Sequence, residues 1–192
     1  MPNIPTRYDH LFFNIGRQLG IDPWVLKGIA WHESRLDESA HAYGDGEKAF
    51  YRKFIKDRTK WTDHRYYDQP RIIGGGHGLM QLQYTTAILR GVDFPHEGDW
   101  WKLYIPVNNI YFGGKYYLKK YRKYGNLSQA LAAYNAGTAT WINDPSSPNQ
   151  GHFRNQAYVN QVQIAIETVS KDWALRGVKI SYKLPTSCRH NS

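Results

Sequence analysis

Residues 22–36, DPWVLKGIAWHESRL, constrain the fold more than any other stretch of the chain. Asp22 can accept hydrogen bonds from free backbone N–H groups at a helix start, and Pro23 suits a first helical turn. Val25, Leu26, Ile29 and Ala30 then recur at helical spacing and mark a face that must be buried. Glu33 falls on that same side, near the helix C-terminus. Burial disfavours a charged carboxyl, and so does the partial negative charge of a helix C-terminus. Both hold Glu33 protonated toward neutral pH, as a general acid requires. Taken alone, the stretch also fits a polar residue at a fraying helix end, hydrogen-bonded by Ser34.

The chain has 192 residues, 41% of them hydrophobic and 15% aromatic, enough for one domain with a real core. The formal net charge of +9 favours an anionic partner: nucleic acid, or the acidic polymers of a bacterial envelope. The lone cysteine, Cys188, excludes an internal disulfide and a cysteine metal cluster. No apolar run reaches membrane-span length, and the N-terminus shows no secretory signal.

Thr6 is expected to cap a first helix with Leu11, Phe12, Ile15 and Leu19 inward, ended by Gly20. Residues 48–60 read as a short amphipathic helix with Phe50, Phe54 and Ile55 inward. Helices are also expected over 85–89, over 109–124, from a Ser128 cap to Gly137, and over 155–175. The tail VKISYKL reads as a short strand. KYYLKKYRKY at 115–124 mixes five basic residues with four tyrosines. Such a mixture can bind single-stranded nucleic acid. We read it instead as a helix with a packed aromatic face and a solvated charged face.

Five stretches stand in order: HES at 32–34, GLMQL at 78–82, NIYFGGKYYL at 109–118, AAYNAG at 132–137 and AYV at 157–159. Together they resemble the lytic transglycosylases of the lysozyme-like superfamily, over roughly residues 8–166. The resemblance implies a mainly α, lysozyme-like α+β fold, with a small irregular or β lobe built from an insertion. It implies a single catalytic domain over 1–192, with its core at about 6–176, the insertion at 43–73 and a tail at 177–192. By the same resemblance Glu33 is the catalytic acid. Ser34, Gly78, Gln81, Gln83, Tyr134, Asn135 and Tyr158 belong to the substrate cleft, and no metal or other cofactor is needed. The substrate is the peptidoglycan glycan strand, cleaved at the β-1,4 bond from N-acetylmuramic acid to N-acetylglucosamine with formation of a 1,6-anhydro ring. Nucleic acid is not expected as a partner, and the enzyme is expected to be a monomer. Its place of action is the bacterial cell wall; small size, basicity and the absence of a visible signal suggest a phage endolysin or virion-borne lysin, with a cellular wall-remodelling enzyme whose signal has been removed as the alternative.

The residues agree with these roles. Gly78 lets backbone approach a ligand closely. Gln81 offers a donor and acceptors to a sugar amide or hydroxyl. Tyr134 faces inward, and a protonated Glu33 would serve its hydroxyl. The family's usual Met-Pro after the glutamine is replaced here by Gln83 and Tyr84. Between Glu47 and Arg71 the insertion carries eight Lys/Arg against four Asp/Glu. Asp45, Glu47, Asp63 and Asp68 are candidates for a second carboxylate, which most glycosidases need; we read them as solvated loop charges. A goose-type hydrolytic lysozyme and a non-catalytic glycan-binding module remain as alternatives. HESRL lacks the second histidine of a zinc-protease H-E-x-x-H, and His32, on a different helix face from Glu33, reads as a surface or packing residue.

Overall fold

The computed structural model describes residues 3–56, 61, 63–89, 91–95 and 98–178. Among these the chain is mainly helical. Its helices are α1 (Asp9–Leu19), α2 (Pro23–Ser34), α3 (Asp45–Phe54), α4 (Pro70–Gly74), α5 (Tyr84–Ala87), α6 (Pro106–Tyr124), α7 (Leu127–Ala136) and α8 (Gln156–Leu175). A 3-10 turn spans Trp100–Tyr104. Three two-residue strands, β1 (His41–Ala42), β2 (Gly76–His77) and β3 (Leu82–Gln83), form one antiparallel sheet in that order. His41 pairs with His77, and Gly76 with Gln83.

The apolar periodicity becomes a continuous core. Phe12, Leu26, Ile29, Ile110, Leu131 and Val162 have no exposed surface, and the cluster runs from Ile4 to Trp173. Burying each such side chain contributes roughly 1.5–3 kcal/mol. α2 packs along α8, at a contact that only a residue without a side chain permits. A Cβ on Gly28 would stand 2.6 Å from the Cα of Ile166. This close approach brings the start of α8 beside the end of α2, where Glu33 sits. One charge crosses the core. Fully buried Lys27 donates to Asp9 at 2.5 Å, while Asp9 also receives the indole N–H of Trp173 and the guanidinium of Arg176. Burial pushes the Lys27 pKa down, against the pull of Asp9.

Helix starts depart from expectation in instructive ways. Tyr8, not Thr6, precedes α1, and Thr6 helps through its backbone carbonyl. Asp22 occupies the cap position of α2 without a side-chain hydrogen bond. Instead its carboxyl is partly buried, which pushes its pKa up. α7 is capped by Asn126 rather than Ser128: the Asn126 side chain accepts from the Gln129 N–H at 2.9 Å. Asn126→Ala is therefore expected to cost about 1 kcal/mol in denaturant unfolding, and Ser128→Ala much less.

The insertion departs most. Its helix, α3, starts at Asp45, where Glu47 reaches back to accept the Gly44 N–H at 2.8 Å, the one half of a capping box that a glycine at the cap position allows. Ile55 is fully buried, but Phe54 is 50% exposed rather than inward. The strands lie at the margins of the insertion rather than inside it. β1 precedes it, β2 follows it, and their pairing closes the loop between them. The last four residues of the expected helix, 57–60, lie outside the described residues, as does nearly all of the expected VKISYKL strand.

Candidate active site

Glu33 sits in the last turn of α2, one residue before the chain turns at Ser34 and Arg35. It lines a cleft of about 780 Å³. One wall comes from the insertion helix α3, with Glu47, Phe50 and Phe54. The others come from Gly76, Gln81 and Gln83, from Tyr116 and Lys120 on α6, and from Tyr134 and Asn135 on α7. The Tyr158 hydroxyl donates to Glu33 Oε1 at 2.6 Å. Its ring meets that of His32 edge-on at 5.1 Å, so of the two readings of His32, surface or packing, the contact favours packing. Burial pushes the Glu33 carboxyl up to about 7. The Tyr158 hydrogen bond opposes this rise by favouring the ionised form, and the charge of Glu47 adds to it. A carboxyl so tuned is present both protonated and ionised near neutral pH, and can give a proton and take one back.

The turn of residues 78–81 is clamped from three sides. Asn109, at the start of α6 and fully buried, accepts the Met80 N–H through Oδ1 at 2.6 Å. Its Nδ2 donates to the carbonyls of His77 and Leu103, each at 2.7 Å. Ser34 Oγ donates to the Leu79 carbonyl at 2.7 Å, tying the end of α2 to the same turn. The Tyr134 hydroxyl donates to the Met80 carbonyl at 2.8 Å. The acid and the turn therefore hold a fixed relation.

Several expectations change here. The partner of Tyr134 is the Met80 carbonyl and not Glu33; the tyrosine bonded to Glu33 is Tyr158. Tyr134 stays close enough for the Glu33 charge to help push its own pKa up, after burial. Ser34 bonds neither to Glu33 nor to the open cleft, but to two backbone carbonyls, those of Ala30 and Leu79. The protein itself requires a glycine at position 78: its φ is +68°, and a Cβ there would stand 2.6 Å from the Leu103 carbonyl and 2.7 Å from Asn109.

Gln81, Gln83, Tyr134 and Asn135 all line the cleft with Glu33. The Gln81 amide N–H groups donate to the carbonyls of Ala40 and Gly78, and its Oε1 is buried with no partner among the described residues. Gln83 donates to the Gly74 carbonyl at 3.3 Å. Asn135 is held by Asn155, whose Nδ2 donates to Asn135 Oδ1 at 2.9 Å and to the Ala132 carbonyl. Asn109 and Asn155 carry no catalytic pattern in sequence. Asn109 could have been found as the first residue of the N-I-x-x-G stretch; nothing in sequence marks Asn155.

The candidate second carboxylates separate. Asp45, Asp63 and Asp68 are exposed, as solvated charges should be. Glu47 is not: α3 turns it toward the cleft that Glu33 lines. Among the described residues no three His, Cys, Asp or Glu side chains come together as a metal site. No described helix is long and apolar enough to cross a membrane. In comparison with known proteins, the family model of the transglycosylase SLT domain matches residues 10–157. No solved structure matches the chain.

Proposed function

The chain belongs to the transglycosylase SLT domain family, whose members cleave the glycan of cell-wall peptidoglycan, and from that premise we propose that it is a lytic transglycosylase with Glu33 as its one catalytic acid and base. Glu33 protonates the oxygen linking N-acetylmuramic acid to N-acetylglucosamine, and the C1–O bond breaks. The substrate's own N-acetyl oxygen closes on C1 and shields the developing cation. The Glu33 carboxylate then takes the proton of the C6 hydroxyl, whose oxygen displaces the N-acetyl oxygen from C1. The products are a free N-acetylglucosamine 4-hydroxyl and a 1,6-anhydro ring, with no water consumed and Glu33 again protonated. Gln81 and Asn135, which line the cleft, hold the sugars, and Tyr134 holds the turn that carries Gln81. The observation that carries this reading is the poise of Glu33 at about 7 in a cleft lined by the amide residues Gln81, Gln83 and Asn135.

The test is mass spectrometry of soluble products from purified peptidoglycan. Anhydro-terminated muropeptides are expected. Reducing ends heavier by one water would replace this reading with hydrolysis. Glu47 favours that second reading, because a carboxylate in the same cleft could hold a water. If the enzyme is a transglycosylase, Glu47→Gln retains the anhydro product; a hydrolase using Glu47 would lose nearly all turnover.

The role of Tyr158 gives a pH signature. Its hydrogen bond favours the ionised carboxylate, so Tyr158→Phe is expected to raise the Glu33 pKa further. The first step needs the protonated acid, and the alkaline limb of the pH–rate profile should move upward. A limb that stays in place would separate Tyr158 from the acid. The +9 charge suits work on an anionic wall, as a phage endolysin or virion-borne lysin performs it, acting as a single-domain monomer with the 43–73 insertion as one wall of its cleft.

A further inference from the structure

Lys120 is a cleft residue that the acid–base chemistry leaves unused. It lies on α6, in the tyrosine- and lysine-rich stretch, and its half-buried side chain lines the same cleft as Glu33. An ammonium has three N–H donors. One goes to the Gly137 carbonyl at 2.6 Å, just past the end of α7. The Tyr116 ring lies beneath Nζ, 4.7 Å from it. Capping of α7 therefore accounts for one donor, and the ring for one side of the charge. The remaining surface of the ammonium faces the cleft.

No carboxylate among the described residues pairs with it. Burial, first, and then the neighbouring cations Lys119 and Lys123 push its pKa down to about 8. A partly desolvated cation among cations is unfavourable unless an anion joins it. Asn135 and Thr138 line the cleft beside Gly137 and offer further polar contacts to such an anion.

We propose that Lys120 binds a carboxylate on the side arm of the muramoyl sugar, and so separates wall glycan from uncharged N-acetylglucosamine polymers. The inference rests on the peptidoglycan reading above. The carboxylate has two sources: the lactyl ether itself once its peptide is removed, or the peptide stem attached to it. N-acetylglucosamine has neither.

The experiment measures binding to the inactive Glu33→Gln protein, with and without Lys120→Gln. Glutamine keeps a donor for the Gly137 carbonyl and removes the charge. The three probes are peptide-bearing glycan strands, strands stripped of peptide by an amidase, and chitin hexamers. A loss of about ten-fold is expected for wall glycan, and none for the chitin hexamer. Loss on the stripped strands alone assigns the lactyl carboxylate; loss on the peptide-bearing strands alone assigns the stem; loss on both assigns either carboxylate in turn. Lys120→Arg should recover most of the affinity. Equal losses on all three probes, or no loss on wall glycan, overturn the assignment, with melting curves excluding a simple loss of fold. If Lys120→Gln does not fold, Lys120→Arg and Lys120→Met carry the same comparison. A Glu33→Gln parent that binds no wall glycan would instead remove the peptidoglycan reading, and this inference with it.

Discussion

Glu33→Gln is expected to lower the rate of glycan cleavage by about a thousand-fold or more, since a positioned acid–base group contributes roughly 10²–10⁴ per role and Glu33 serves in both steps. The same substitution should stabilise the fold. In the folded protein the Glu33 carboxyl is raised to about 7 from an ordinary 4.5. Between those values the folded state binds more protons than the unfolded one. Stability therefore falls as pH rises through the window, and the deficit is complete above about pH 7. A shift of this size is worth about 3 kcal/mol. Glutamine is neutral at every pH and can still accept the Tyr158 hydroxyl. The variant should be more stable than the parent by about 2 kcal/mol at pH 8, and equal to it below about pH 4. Denaturant unfolding at the two pH values measures this. An activity loss without the pH-dependent gain would mean that the carboxyl is not desolvated, and would remove the physical basis for its proton transfer.

How much of this was legible in sequence depended on whether a signal was local. The apolar spacing of residues 25–33 placed Glu33 on the inward side of α2, and burial of that side is what raises its pKa. Gly20, Gly125 and Gly137 ended their helices where expected, because a chain leaving a helix in a left-handed turn favours glycine. Partners across the fold were not legible. Tyr134 and Tyr158 both read as inward tyrosines near an acid. Which one reaches Glu33 is decided by the packing of α8 on α2 at Gly28, 130 residues from Tyr158 in sequence. Glu47 was read as a solvated charge because its helix was expected to begin after it. A capping box with glycine at the cap position has only half the usual sequence signature, so the start at Asp45 was missed. At Gly78 the sequence showed no sign of a protein neighbour that also demands glycine: the space a Cβ would need is taken by Asn109 and the Leu103 carbonyl.

Asn109→Ala is expected to be the most destabilising polar substitution in the cleft, at about 4 kcal/mol. The side chain makes three hydrogen bonds with no exposed surface, to the Met80 N–H and to the His77 and Leu103 carbonyls. Alanine leaves all three groups buried and unpaired, at roughly 1–3 kcal/mol each before relaxation and water entry. That is a large part of a typical stability of 5–15 kcal/mol. The effect should extend beyond stability, because the Met80 N–H and the Tyr134 hydroxyl hold opposite sides of one peptide turn. Freed of Asn109, the turn can shift, and Gln81 shifts with it. Turnover by whatever protein remains folded should fall as well, through KM more than through the Glu33 pKa. Asn109→Asp provides the sharper contrast. Its carboxylate could still accept the Met80 N–H, but it would face the His77 and Leu103 carbonyls with no donor. If the two donated bonds matter, aspartate should be at least as damaging as alanine in denaturant unfolding at neutral pH. An aspartate variant close to the parent would show that the Met80 contact alone holds the turn, and that the clamp on the cleft is one bond strong.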